Sequence, residues 1–213
     1  MSAPVRVYRV PHSTNVTRIA LAAGLKGIPV EWVDIPWDDR SEIVRVSGQP
    51  LAPVLVAGDE VVADSPRILH WLEERHPEPP LLPADPHARA AIAVFCAWFN
   101  GVWKRPPNAI DAERAKTLRG EPVDEAAIAR WGAELEGALA LFEGLLAGGD
   151  FLFGSRPTLA DVTAWPFLRY PVLGVPADDT EPFHHILVEF MPLGDGYPRL
   201  EAWVRRVDGL PQA

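Results

Sequence analysis

The sequence is poor in sulfur and in cations. It has 213 residues and a single cysteine, Cys96, so neither an intramolecular disulfide nor a Cys-x-x-Cys redox pair can form. Lys and Arg number 20 against 29 Asp and Glu, for a formal net charge of -9. That balance leaves no broad basic face for a phosphate backbone, so nucleic acid is not an expected partner. No apolar run approaches the roughly 20 residues that span a bilayer. Residues 1–9 contain no apolar signal core. A soluble, cytoplasmic protein without a membrane partner is expected. Metal-binding patterns are also thin. His184-His185 lies near Glu189, but adjacent histidines do not readily face one ion on a helix. No metal is expected.

Hydrophobic residues make up 48% of the chain and charged residues 23%, enough apolar material to bury a core in one large or two small domains. Residues 5–10 are β-branched-rich and end at Pro11, which predicts a strand. His12-Ser13-Thr14-Asn15 is a run of capping residue types ahead of Val16, Ile19, Ala20 and Ala23, which recur at helical spacing. A second strand follows at 30–35 and a short charged helix at 38–46. Gly58-Asp59 then sits between two short β-branched runs, a hairpin signal. Ser65-Pro66 opens another helix, with Ser65 as the expected N-cap and Pro66 as the first helical residue. The order βαβαββα within about 75 residues is a thioredoxin-like pattern.

Five prolines fall within residues 77–86, the stiffest stretch of the chain. Beyond it the periodicity is helical, with segments near 87–104, 124–147, 158–170 and 197–207 and a weaker one at 183–190. The expected division is a first domain at 1–78, a linker at 79–86 and an all-helical domain at 87–213.

Three local patterns bear on chemistry. In Leu51-Ala52-Pro53-Val54-Leu55, a proline opens a strand, where it cannot donate to a ladder. A cis bond before Pro53 would turn the N–H and C=O of Ala52 outward, where an extended peptide could pair like an added strand. In Asp64-Ser65-Pro66, a serine hydroxyl at a helix N-terminus offers a carboxylate site. In Pro157-Thr158-Leu159-Ala160-Asp161, Thr158 and Asp161 have capping-box spacing and are assigned to folding.

In this order and spacing, the motifs resemble those of cytosolic-type glutathione S-transferases. Ala52-Pro53-Val54-Leu55 is similar to that family's Val-Pro-x-Leu segment. Asp64-Ser65-Pro66-Arg67-Ile68 resembles its Glu-Ser-x-Ala-Ile motif. Pro157-Thr158-Leu159-Ala160-Asp161 resembles its capping box with a buried aspartate, and Tyr197-Pro198-Arg199-Leu200-Glu201-Ala202-Trp203 its final helix.

The resemblance implies the family's fold, a thioredoxin-like α/β domain followed by an all-α domain. It also implies glutathione as co-substrate, a hydrophobic electrophile, a detoxification role and a two-fold homodimer. Ala52 and Pro53 would meet the cysteinyl part of glutathione, Ser65 the γ-glutamyl carboxylate and Asp64 the α-amine. Trp98, Phe99, Trp103 and Tyr170 are the co-substrate candidates. Aligning Arg18-Ile19-Ala20-Leu21 with the family's first helix makes Ser13 the candidate catalytic residue for the thiolate. Thr14, Asn15 and Tyr8 are its rivals. A cis–trans isomerase and a non-catalytic ligand-binding protein are the alternative functions. Two departures stand out. Gln49-Pro50-Leu51 replaces a stretch in which many members carry lysine, and Arg67 stands where a small residue is usual. Arg40, Arg45 or Gln49 are candidates to compensate.

Overall fold

The computed structural model of the chain describes residues 4–213. They form two compact units. The first holds the described residues through Pro83 together with Gly209–Ala213, and the second is Ala84–Asp208.

The first unit runs β1 (Val5–Arg9), α1 (Thr14–Leu25), β2 (Val30–Asp34), α2 (Ser41–Ser47), β3 (Val54–Ala57), β4 (Glu60–Ala63) and α3 (Ser65–Arg75). The sheet order is β2-β1-β3-β4. β1 and β2 are parallel, as a helical crossover through α1 requires, with Val5 opposite Val30 and Arg9 opposite Asp34. β3 is antiparallel to β1 and to β4, so Val54 lies between Tyr8 and Ala63. Gly58 turns the β3–β4 hairpin at a φ of 61°, a conformation open to glycine at little cost. Val7, Ile19, Leu55, Ile68 and Leu72 are wholly buried. Tyr8, Val10, Ile35, Ile43 and Val54 form a separate cluster that includes α2. This is the thioredoxin-like arrangement read from the element order.

Two contacts close this unit. Lys26 is buried and donates to the carbonyls of His76 (2.7 Å) and Pro79 (3.0 Å) while pairing with Glu73 at 2.6 Å. Glu73 in turn accepts from the N–H groups of Leu81 and Leu82, which ties the proline-rich segment to α3. At the other end of the chain, Ala213 N–H donates to Ala20 C=O at 2.9 Å. A Cβ on Gly24 would run into the backbone of Pro211, so the tail's path needs glycine there.

The second unit is helical: α4 (Pro86–Trp98), α5 (Arg105–Arg114), α6 (Glu125–Leu145), α7 (Leu159–Leu168), α8 (Tyr170–Leu173), α9 (Pro182–Phe190) and α10 (Pro198–Asp208). A π-helical turn, Phe99–Trp103, joins α4 to α5. The sequence reading did not include α5, which carries Pro106-Pro107 near its start. Both prolines lie in the first turn, whose N–H groups have no intrahelical acceptor, so the helix loses nothing there. The only strand-like feature among the described residues of this unit is an isolated bridge between Phe151 and Gly154.

The expected capping box starts α7. Thr158 Oγ accepts from Ala160 N–H, and Asp161 accepts from Thr158 N–H at 2.8 Å. Asp161 also accepts from the Thr158 hydroxyl, Leu152 N–H and the Trp203 indole, which fastens α7 to α10 and the 152 loop. Phe95, Phe99, Trp103, Phe142 and Phe167 pack ring on ring at the centre of this unit. No helix among the described residues is long and apolar enough to cross a membrane.

Candidate functional site

A cavity of about 300 Å³ opens on the first unit, lined by Asn15, Gln49, Leu51, Ala52, Pro53, Ala63, Asp64, Ser65 and Arg67. Three pieces of local structure build it: the first turn of α1, the loop entering β3, and the β4–α3 junction. One side is backbone in character. The Ala52–Pro53 bond is cis, and Pro53 is buried at the start of β3 while Ala52 is half-exposed. The other side is polar and charged, with Ser65 buried and Asp64 and Arg67 exposed. An extended zwitterionic peptide suits such a lining, with its main chain toward Ala52 and its charged head toward the start of α3.

The start of α3 differs from the sequence reading by one residue. Asp64, not Ser65, is the N-cap, and Ser65 is already helical. Asp64 takes a positive φ of 77° to turn the chain from β4 into the helix. Its ψ of 124° puts it outside the left-handed helical well, a strained backbone for any residue with a Cβ, and such outliers cluster at ligand sites. Ser65 makes no cap bond. Its hydroxyl instead donates to Asn15 Oδ1 at 3.3 Å and accepts from Arg18 Nη1 at the same distance. Arg18 Nη1 also donates to Asn15 Oδ1 at 3.2 Å. Arg18, which bonds both side chains, was not singled out from the sequence. Its signal was a cation on the buried face of α1, one turn after Thr14, where an apolar residue would be expected.

The thiol-activation candidates lie in different surroundings. Ser13 is the N-cap of α1 and half-buried, and its side chain makes no cap bond. Its carbonyl accepts from Val16 and Thr17 N–H, both at 2.9 Å, so the backbone closes the turn without the hydroxyl. Thr14 is buried and Asn15 lines the cavity, while Ser13, two residues earlier, does not line it. Tyr8 packs in the cluster with Ile43 and Val54 and does not line the cavity. Of the compensating candidates, Gln49 lines the cavity but is held by its own loop. Its amide donates to Leu51 C=O at 2.8 Å and accepts from Leu51 N–H at 2.7 Å. Arg40 lies over the Trp37 ring and Arg45 faces Glu42, and neither lines the cavity.

The four aromatic candidates lie in the helical unit. Phe99 and Trp103 are stacked in its core with centroids 4.3 Å apart. Tyr170 is also buried, stacked on His184 at 4.2 Å. Trp98 alone keeps a half-exposed ring. Spacing of four residues along α4 and the π-turn puts Phe95, Phe99 and Trp103 on one inward face. Burial, then the nearby Asp179 charge, pushes the Tyr170 hydroxyl well above the usual tyrosine range, so it stays protonated. His184 Nδ1 is 2.7 Å from Asp179 Oδ2, while His185 is exposed and Glu189 is paired with Arg114. The two histidines thus point into different surroundings.

Comparison with known proteins bears on the same two units. Residues 7–80 match the profile of "Glutathione S-transferase, N-terminal domain", and residues 125–206 that of "Glutathione S-transferase, C-terminal domain". The chain is 32% identical to maleylpyruvate isomerase of Ralstonia sp over 166 residues, covering 74% of this chain and 77% of that one. It is 30% identical to FtsZ-localized protein A of Caulobacter vibrioides, covering 77% and 75% respectively. A glutathione S-transferase of Methylobacterium radiotolerans, solved in complex with glutathione sulfonate, superposes with a TM-score of 0.69 at 28% identity, over 99% of this chain and 96% of that one. Motif order, fold and similarity over most of the length agree, and the chain belongs to the glutathione S-transferase family.

Proposed function

We propose that this protein binds glutathione in the cavity of its first unit and uses the thiolate as a nucleophile toward a hydrophobic electrophile. The observation that carries this reading is the cavity lining. Backbone at Ala52 lies on one side, and Asp64, Ser65 and Arg67 at the start of α3 lie on the other. Glutathione is an extended zwitterion. Its cysteinyl main chain would pair with Ala52, its γ-glutamyl carboxylate would meet Ser65 and the α3 N-terminus, and its α-amine would meet Asp64. The glutathione sulfonate bound to the Methylobacterium relative supports a ligand of this class.

The thiol would lie toward the N-terminus of α1. There, Ser13 donates to the sulfur, and the helix end adds a partial positive charge that favours thiolate over thiol. A drop of about two units in thiol pKa corresponds to roughly 2.7 kcal/mol of differential stabilisation. The thiolate lone pair attacks an electrophilic carbon, a carbon–sulfur bond forms, and the leaving group departs with its electron pair. Of the four aromatic candidates, Trp98 is the one with ring surface to offer a co-substrate. A two-fold homodimer is part of the proposal.

A second reading is favoured by the similarity to maleylpyruvate isomerase. The same thiolate would add to a conjugated double bond, allow rotation and leave again. It ranks second, because the chain lacks the Ser-Ser-Cys loop of zeta-like isomerases.

Calorimetric titration with glutathione, followed by turnover assays with an activated aryl halide and with a cis-configured conjugated diacid, tests both readings. Glutathione binding with aryl turnover supports conjugation, and diacid turnover alone selects isomerisation. Glutathione binding without either reaction would reduce the protein to a binding role. No binding at millimolar glutathione would refute the site. Sedimentation analysis checks the dimer.

A further inference from the structure

We propose that Arg18 is a positioning residue of the thiol-ligand site, acting on the ligand through Ser65 and Asn15 without touching it. The inference rests on the glutathione reading above. Arg18 is in the second turn of α1 and is completely buried. It does not line the cavity, yet two side chains that do line it are bonded to it. A single nitrogen, Nη1, donates to Ser65 Oγ at 3.3 Å and to Asn15 Oδ1 at 3.2 Å. Ser65 closes the triangle by donating to Asn15 Oδ1 at 3.3 Å.

Burying a guanidinium completely is costly, and substitution by an apolar residue of similar volume is often tolerated or stabilising. Folding alone therefore does not call for an arginine here. What arginine supplies is a planar donor that fixes two acceptors at once. Ser65 donates its proton to Asn15 and accepts from Arg18; toward a bound carboxylate the proton turns to the ligand, while Arg18 still satisfies Asn15 Oδ1 and still fixes Ser65 Oγ. The Ser65 oxygen is thus held in place beside the cavity, and Asn15 is held with its oxygen turned toward Arg18 and Ser65. Preorganised donors gain most when the group they serve is charged. The guanidinium also sets a full positive charge directly behind the Ser65 hydroxyl, which favours an anionic ligand group over a neutral one there.

The test is a double-mutant cycle on glutathione affinity, with Arg18→Met and Ser65→Ala singly and together. Arg18→Met is expected to raise the Kd for glutathione by about tenfold or more, as for loss of a charge-assisted bond. In the Ser65→Ala background the same change should raise it by less than about threefold, because the relay is already cut. The pKa of the bound thiol, read from thiolate absorbance, should stay unchanged, because Arg18 serves the carboxylate end. Arg18→Lys, which keeps the charge and can still donate, should recover part of the affinity lost in Arg18→Met. Additive effects, or a shifted thiol pKa with unchanged Kd, would overturn the proposal. If both Arg18 variants fail to fold, the cycle between Asn15→Ala and Ser65→Ala replaces it, and additivity there overturns the proposal equally. A wild-type protein that does not bind glutathione would instead refute the underlying reading, a separate outcome.

Discussion

Asp161 makes the sharpest quantitative test of the helical unit. Its carboxylate is wholly buried and accepts four hydrogen bonds. Leu152 N–H and the Trp203 indole reach Oδ1, both at 2.9 Å, and Thr158 N–H and hydroxyl reach Oδ2 at 2.8 and 2.9 Å. Asp161→Ala strands all four donors, at about 1 kcal/mol each on the low side, so about 4 kcal/mol in total. Asp161→Asn keeps the shape and one acceptor. Its NH₂ group faces two of the donors, which costs about 2 kcal/mol. Burial pushes the Asp161 carboxyl above the ordinary range while the four donors pull it back. Exchange for a neutral amide therefore relieves some desolvation, which keeps the Asn figure at the low end. In a chain of this size about 1 kcal/mol moves the melting midpoint by about 3 °C, so the expected shifts are about 6 °C for Asn and about 12 °C for Ala. Thermal melts give the shift, and glutathione titration well below the transition gives the affinity of the folded protein. That affinity should remain near wild type, because Asp161 serves the fold. An Asn variant that melts like wild type but loses glutathione binding or turnover would show that the residue had been assigned the wrong role.

Three further outcomes are expected. Ser13→Ala should cut turnover at neutral pH by roughly a hundredfold and raise the pKa of bound glutathione while leaving its Kd little changed. Loss of turnover in Tyr8→Phe instead would refute that placement of the thiol. Gly132→Ala should cost about 1–3 kcal/mol in a denaturant melt, because a Cβ there meets the Phe190 ring and pushes α9 off α6. A neutral result would mean that the ring moves aside freely. The Arg114 hydrogen bond holds the Glu189 carboxyl below the usual glutamate range. Its contribution is therefore fully present above that range and disappears as pH falls through the lowered folded-state value. The pair is about half exposed, so the difference between wild type and Glu189→Gln should be under about 1 kcal/mol at neutral pH and vanish in acid. A difference that grows in acid would reverse the sign of the argument.

Short-range chemistry made much of the molecule legible from the sequence. The β-branched runs, the Gly58-Asp59 turn and the Thr158/Asp161 spacing each act within a few residues, and each led to the element found. Ser13 before an amphipathic run marked the start of α1 for the same reason. The signals that misled were short-range as well. Helix α5 was not expected, because the sequence does not show which turn of a helix Pro106-Pro107 occupies. Ser65-Pro66 looked like a cap, because the positive φ at Asp64 arises only when β4 must turn into α3. What remained was a matter of packing. Helical periodicity put Phe99 and Trp103 on one face, but only the surrounding helices decided that the face is closed. Arg18 meets Ser65 across 47 positions and Asp161 meets Trp203 across 42. No local pattern encodes such pairs. They form because a buried polar atom must find a partner, and the partner within reach is set by how α1 lies on α3 and α7 on α10.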